Sequence, residues 1–347
     1  MMEAKRVTMA DIAKECGVSK ASVSFAFNNP GKIKKETYLR IMDVAKKLDY
    51  IPDPMAKRLS EGKNYTIGFL LPQHIDISLN NPYTIEVLKG VGESCERNGY
   101  SMNLIPPLHS SIAEAVKFAA VDGLITMGIS IDKKIKDALR SRKIPVVCID
   151  GSKKDGLCSV NIDDERAAYE QISYALRRGH RDFALIALGR DEYVKDKADK
   201  DSTSNRRLKG YEKALKEYGL SISDAILLTR EPTVEDGKRA LDDIISAGRN
   251  VTCIISMADA VCYGIMKRAK ELGIDIPGKL SIIGFDGLDN IFSDIPLTTM
   301  KQAAAEKGSK AADILFSLIK GEEDKSGVFF VDYRLIEGES VRDGYRI

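Results

Sequence analysis

The residues of this 347-residue chain that could do covalent or metal chemistry are dispersed. Its three histidines, His74, His109 and His180, lie far apart and show neither triad nor metal-ligand spacing. The six cysteines, Cys16, Cys95, Cys148, Cys158, Cys253 and Cys262, contain no C-x-x-C pair. They read as reduced, buried thiols of a cytosolic protein rather than as a redox or zinc site. The run DEYVKDKADKDSTSN, residues 191–205, offers carboxylates, but lysines interleave them without calcium-loop spacing, so it reads as a solvated loop. Gly90-Val91-Gly92 lacks the third glycine of a nucleotide loop, and no G-x-S-x-G or G-x-x-x-x-G-K-[ST] string occurs. The expectation is a binding protein, not an enzyme, with no cofactor and no metal.

Charge points to one partner. Residues 1–64 carry 13 Lys/Arg and 8 Asp/Glu, a net of +5, whereas the other 283 residues carry a net of −3. A basic head on a mildly acidic body suits a polyanion bound by the head alone. Hydrophobic residues are 44% and charged residues 30%, which fits a globular protein. The length predicts two or three domains. No stretch approaches the roughly 20 apolar residues needed to span a bilayer. The segment MMEAKRVTMADIAKE has no apolar leader core, so a cytoplasmic location without membrane contact is expected.

The elements that must position a polyanion come first. Thr8 can cap a helix, with Asp11 three residues on in a capping-box arrangement. Met9, Ile12, Ala13 and Cys16 then share one face, and Gly17 ends the helix. Ser19 can cap a second helix, from Lys20 to Phe27, which Asn28, Asn29, Pro30 and Gly31 stop. A third carries Tyr38, Ile41, Met42, Ala45 and Leu48 on one stripe. Three helices with a short glycine turn between the first two give the helix-turn-helix geometry, whose second helix enters the major groove of DNA. Pro52 and Pro54 then punctuate the exit, and Met55 to Glu61 can form about two turns of helix, marginal on its own.

The string V-T-x-x-D-I-A-x-x-x-G-V-S-x-x-S-V-S from Val7, followed by Asn28 and Y-I-P-D-P-M-A-K-R-L from Tyr50, closely resembles the lactose-repressor (LacI/GalR) family of bacterial transcription regulators. NNPYTIEVLKGV, RRLKGYEKAL, SIIGFDGLDN and PLTTMKQ extend the resemblance through most of the chain. It implies a sequence-specific DNA-binding regulator, a homodimeric repressor on a pseudo-palindromic operator, controlled by a small-molecule effector. Ser19 to Phe27 becomes the recognition helix. Lys20 and Ala21 take the main base-reading positions, where Lys20 can donate to a guanine edge and Ala21 can meet a thymine methyl. Ser19, Ser24 and Thr37 would bond phosphates. Thr8, Ser22, Asn28, Lys32, Tyr50 and Pro52 complete the implied contact set in the head. In the hinge, Ala56 would face a partner helix and Leu59 would wedge into the minor groove at the operator centre; the plainer alternative for Leu59 is burial against the body. Phe25 departs from the pattern, which commonly has Arg there: it either packs on thymine methyls or turns inward as core. Lys34 replaces the usual capping serine.

From Tyr65 short apolar strands alternate with helices. Strands are expected at 66–71, 101–105, 123–127, 146–150, 183–188, 252–256 and 281–286, with helices such as 85–98, 165–178, 207–218, 234–247 and 260–272 between them. This alternation means parallel sheets covered by helices, with ligands beyond the strands' carboxyl ends. The resemblance supplies the architecture: an N-terminal all-α helix-turn-helix head plus an α/β periplasmic-binding-protein-like body, two parallel-sheet lobes around a cleft. The expected domains are a head at 1–49, a hinge at 50–64 and a body at 65–347. The N-lobe is placed at about 65–164 and 298–324, and the C-lobe at about 165–297 and 325–347, with the third crossing near Gly321 to Gly327. Tyr83 stands where the family stacks an aromatic on the ligand, and Asp163, Arg207 and Asp286 match positions that commonly bind it. A polyol suits them, since a carboxylate or guanidinium engages two hydroxyls while an aromatic face covers C–H bonds. The alternatives are a loop-capping role for Asp286 and a solvated surface position for Arg207. Ala258-Asp259 replaces the frequent Asn-Asp pair, and Pro232 stands where a stacking Phe often lies. A carbohydrate-like effector is therefore expected, with a nucleobase or other metabolite acting as co-repressor the alternative. A cytoplasmic solute-binding protein without operator function is the further rival.

Overall fold

The computed structural model describes residues 7–53, 58, 61–129, 131–189, 201–289, 293–322 and 327–343. The chain divides into two units, Met1–Tyr65 and Thr66–Ile347.

The first unit holds α1 (Met9–Cys16), α2 (Lys20–Asn28) and α3 (Lys35–Lys47). Thr8 caps α1 in a full capping box: its amide donates to the Asp11 carboxylate at 2.8 Å while its hydroxyl oxygen accepts from the Asp11 amide. Gly17 ends α1 at φ 62°, the left-handed conformation that glycine adopts without steric cost. Ser19 caps α2, accepting from the Ser22 amide at 3.1 Å. Ile12, Ala13, Cys16, Val23, Ala26, Ile41 and Ala45 form the buried core. Lys34 stands at the N-cap of α3 and makes no side-chain cap bond. Most of the expected hinge helix, including Ala56 and Leu59, lies outside the described residues.

The second unit contains two six-stranded sheets. The first takes β1 (Thr66–Leu70), β2 (Ser101–Ile105), β3 (Gly123–Met127), β4 (Val146–Ile149), β5 (Cys158–Asn161) and β11 (Val328–Phe330), in the order β11-β5-β4-β3-β1-β2. The second takes β6 (Phe183–Leu188), β7 (Ile226–Arg230), β8 (Cys253–Ser256), β9 (Ser281–Asp286), β10 (Thr298–Lys301) and β12 (Arg334–Ile336), in the order β12-β10-β9-β8-β6-β7. Neighbours are parallel except β10 and β12. Strands such as β1 and β3 are buried along their whole length, as near-continuous apolar runs between two helix layers must be.

The helices of this unit are α4 (Ile75–Leu79), α5 (Pro82–Asn98), α6 (Ile112–Phe118), α7 (Lys133–Arg142), α8 (Asp164–Arg177), α9 (Thr203–Glu217), α10 (Val234–Ser246), α11 (Asp259–Glu271) and α12 (Ala304–Lys320). On the first sheet, α5 and α12 bury Val87, Val91 and Leu315 against one face, while α6 and α7 bury Val116 and Leu139 against the other. On the second, Ile186 and Ile254 point to α10 and α11, and the alternating Leu185 and Ile255 point to α8 and α9. The α5–α12 contact is glycine-mediated. A Cβ on Gly90 would overlap the carbonyl oxygen of Ala305, and one on Gly308 would overlap that of Val87.

The chain crosses between lobes three times, and two crossings differ from expectation. β10 pairs with β9, Thr298 opposite Ile283, so residues 298–301 belong to the second lobe and not to the first. β11 pairs with β5, Val328 opposite Ser159, so the third crossing falls between Phe330 and Arg334 rather than within 321–327. In each case a strand too short to carry a strong sequence pattern satisfies its backbone by extending a sheet.

His180 anchors the last described segment. Its Nδ1 lies 3.0 Å from the Thr252 hydroxyl and its Nε2 3.2 Å from the Arg342 carbonyl oxygen, and the side chain is buried. Burial, the leading cause, pushes its pKa below the usual 6.5. The neutral ring is therefore the stabilising form: its contribution is complete above pH 6.5 and is lost as pH falls from there toward the lowered folded value. Urea titrations should show wild type losing stability over that window relative to His180→Gln, by at most about 1.4 kcal/mol per pH unit. Equal slopes for the two proteins would remove His180 from the acid response.

Candidate functional site

Two surfaces gather the residues singled out in the sequence. On the head, α2 buries Val23 and Ala26 and leaves Lys20, Ala21 and Phe25 exposed, with Ser24 and Asn28 half-buried beside them. The Asn28 amide donates to the Ser24 hydroxyl at 3.4 Å, and Ser22 shares a 3.0 Å bond with the capping Ser19. Thr8, Lys32 and Pro52 are exposed, and Thr37 and Tyr50 are half-buried. Phe25 is absent from the core cluster, whereas Phe27 joins it and stacks on Tyr50 at 5.4 Å. The core alternative for Phe25 is thereby removed.

In the body, a polar cluster forms at the carboxyl ends of the strands of both sheets. From the first lobe come Tyr83 at the start of α5, Asp150 after β4 and Lys307 in α12. The Lys307 ammonium is fully buried and donates to Asp150 Oδ1 at 2.6 Å, Gln302 Oε1 at 2.8 Å and Tyr83 Oη at 3.1 Å. Tyr83 Oη in turn donates to Asp150 Oδ2 at 3.1 Å. Gln302, at the second crossing, donates through Nε2 to Asp286 Oδ1 at 2.6 Å. Asp286 ends β9 in the second lobe, and its other oxygen accepts from the Asp259 amide at 3.1 Å. Arg207 lies beneath, 2% exposed, with Nε on Asp164 at 2.9 Å, Nη1 on the Met257 carbonyl at 2.9 Å and its guanidinium 3.7 Å from the Phe285 ring centroid. Arg206 takes the second oxygen of Asp164.

Further bonds join the lobes at the rim. Gln73 donates to Glu231 at 2.6 Å, and Ser152 Oγ and the Lys153 amide both donate to Asp201, at 2.7 and 3.0 Å. Three non-glycine residues here hold positive φ: Asp150 at 58°, Asp286 at 148° and Ala303 at 46°. Each costs on the order of 1–3 kcal/mol, and such strain persists where surrounding contacts over-determine it, often at ligand sites.

Electrostatics separates the carboxylates. Burial opposes ionisation of Asp164, but Arg207, Lys307 and Arg206 outweigh it and hold its pKa below the usual value. Burial likewise opposes the charge on Arg207, and Asp164, Asp286 and Asp150 overcome it, so the guanidinium stays charged. Asp286 goes the other way: burial first, then the Asp259 carboxylate, pushes it well up. Burial raises Asp259 to about 6 against bonds from Thr299, Leu288 and Gly287. Tyr83 is raised by burial and by Asp150, which keeps it a phenol donor.

The structure thus brings together Tyr83, Arg207 and Asp286, while Asp163, one residue before the Arg207 partner Asp164, stands at the start of α8. Asp163 is exposed and caps α8, accepting from the Arg166 amide at 3.1 Å; it is Asp164 that faces inward. Arg207 is buried in the second turn of α9, not solvated, because that helix starts at Thr203. Asp150, Asp164, Gln302 and Lys307 were missed. Asp150 had a signal, since it closes an apolar strand just as Asp286 does. Lys307 had a weaker one, a lysine in phase with Ala304, Gly308 and Ala311 on an apolar helix face.

Residues 8–53 match the family described as bacterial regulatory proteins, lacI family, and residues 172–341 match a periplasmic binding protein-like domain. An HTH-type transcriptional regulator of Mycolicibacterium smegmatis is 30% identical, over 97% of this chain and 96% of that protein. The HTH-type transcriptional repressor CytR of Escherichia coli is 28% identical, over 98% of this chain and 99% of its own. The crystal structure of the lac repressor dimer bound to operator and the anti-inducer ONPF shares the fold, with a TM-score of 0.79, 22% identity and coverage of 97% of this chain and all of that one. The chain belongs to the lacI family of bacterial regulatory proteins, whose members are DNA-binding transcriptional regulators and not enzymes.

Proposed function

We propose that this regulator is a homodimeric cytoplasmic repressor whose affinity for a pseudo-palindromic operator is set by a neutral, hydroxyl-rich small molecule bound between the lobes of the body. The observation that carries the reading is the Tyr83–Asp150–Lys307–Gln302–Asp286 network, which spans both lobes and satisfies its own members. A ligand entering it must replace donors and acceptors together, because an orphaned buried polar group costs about 1–3 kcal/mol. Hydroxyls do both. A phosphate or carboxylate only accepts, and would lie against the Asp150 carboxylate. Tyr83, Arg207 and Asp286 are the proposed ligand contacts, with Asp150, Gln302 and Lys307 added to them. On the DNA side Lys20 and Ala21 face the major groove, Ser19, Ser24 and Thr37 bond phosphates, and Ala56 and Leu59 keep their proposed hinge roles. The ligand shifts operator affinity only as far as it distinguishes two lobe arrangements.

The test is a thermal-shift screen of full-length protein with neutral sugars and polyols, sugar phosphates and nucleobases. A ligand at one hundred times its Kd adds about 2.7 kcal/mol to stability. A neutral polyol is expected to raise Tm and to change retention of operator DNA in a gel, and Asp286→Asn should lose both effects. Shifts from sugar phosphates or nucleobases alone would overturn the ligand class. A full response in Asp286→Asn would overturn the site.

A further inference from the structure

We infer that Phe25 selects a thymine in each operator half-site by packing on its C5-methyl group. The inference rests on the DNA-binding class of the head and goes beyond it, to what one side chain reads. α2 has two phenylalanines, and they diverge. Phe27 enters the core against Tyr50, while Phe25 stands 38% exposed on the opposite side, in line with Ala21 one turn earlier. The Lys32 ammonium lies over that ring, 5.6 Å from its centroid.

The occupant follows from charge and groove chemistry. The surface beside Phe25 carries Lys32, on a head with a net charge of +5, which suits a polyanion better than an apolar protein partner. In the major groove, guanine, adenine and cytosine present hydrogen-bonding groups that an aromatic ring would desolvate without replacement. Thymine alone presents an apolar methyl beside its single acceptor. A phenyl ring at this position therefore favours thymine and penalises the rest. Lys32, held beside the ring, is placed to take a flanking phosphate, which adds affinity without sequence information. Four residues separate Phe25 from Ala21, a rise of about 6 Å along the helix.

The experiment selects duplexes from a randomised library with the full-length chain, then replaces each thymine of the recovered half-site by uracil, one at a time. Uracil removes only the methyl. At one position per half-site, wild type should bind the uracil duplex about three- to fivefold more weakly, the effect of one buried methyl. Phe25→Ala should bind thymine and uracil duplexes equally, and Phe25→Arg should move selection at that position toward guanine. Phe25 lies outside the core, so both variants keep wild-type helix content by circular dichroism. The inference falls if no thymine-to-uracil change weakens wild type, or if Phe25→Ala preserves the same ratio. A wild-type protein that enriches no sequence would instead sink the operator-reading role beneath it.

Discussion

Arg207→Ala is expected to destabilise the body by about 3–5 kcal/mol and to remove the proposed response to ligand. The guanidinium is buried, and it serves one carboxylate oxygen of Asp164, the Met257 carbonyl and the face of Phe285. Deleting it leaves Asp164, itself without exposed side chain, with Arg206 as its ion-pair partner and Lys307 acting only from farther off. The loss is therefore mainly the penalty of a buried charge half-compensated, not the attraction of an isolated pair. Arg207→Lys keeps a charge but loses the planar fork, so it should fall between alanine and wild type. The double variant Arg207→Met, Asp164→Asn should recover much of the deficit. Urea unfolding of the four proteins measures this, and an alanine variant within 1 kcal/mol of wild type would show that Asp164 finds its compensation elsewhere. The pH dependence has a definite sign. Asp164 is held below its unfolded pKa, so its share of stability is present above that unfolded value and disappears as pH falls through the folded one. Arg207→Ala should flatten that acid limb.

The second large effect tests packing rather than charge. Gly90→Ala is expected to cost about 3 kcal/mol or more, because its methyl has no room against the Ala305 carbonyl and the α5–α12 pair must separate. Gly92 in the same helix supplies the control. A Cβ there meets nothing within 4 Å, so Gly92→Ala should be neutral or stabilising by up to about 1 kcal/mol through helix propensity alone. The opposite signs, two residues apart, separate close approach from propensity. If both substitutions change Tm by the same amount, the helix crossing is looser than described.

How much of this could be read beforehand depended on the type of signal. The head was legible because caps, a glycine turn and an apolar stripe repeat within a few residues, and Thr8, Asp11, Gly17 and Ser19 hold the stations their types predict. The long strands were legible because burial on both faces demands continuous apolar runs. β10 and β11 were assigned to the wrong lobe because strands of four and three residues carry no period to count. In the cleft, Asp163 and Asp164 are adjacent acids, and only the phase of α8 decides which points inward. Phe25 shows the same limit: periodicity allowed it in the core or out, and it stands exposed beside the core cluster. Lys307 was hidden because a lysine in a helix is ordinarily solvated, and it is buried here only since Asp150 and Gln302 arrive from residues distant in sequence.

The three chain crossings bear on how the protein is made. The head needs only residues up to about the end of α3 to close its core, so it can fold on the nascent chain early in synthesis. Neither lobe of the body can. The first sheet waits for α12 to cover β3 and β4 and for β11 to take its edge, and the second waits for β12. During translation the cell therefore holds a finished head tethered to two open, apolar sheets, and both sheets close almost together as the last strands emerge. The DNA-binding part thus precedes the body, and chaperone demand should concentrate on the body.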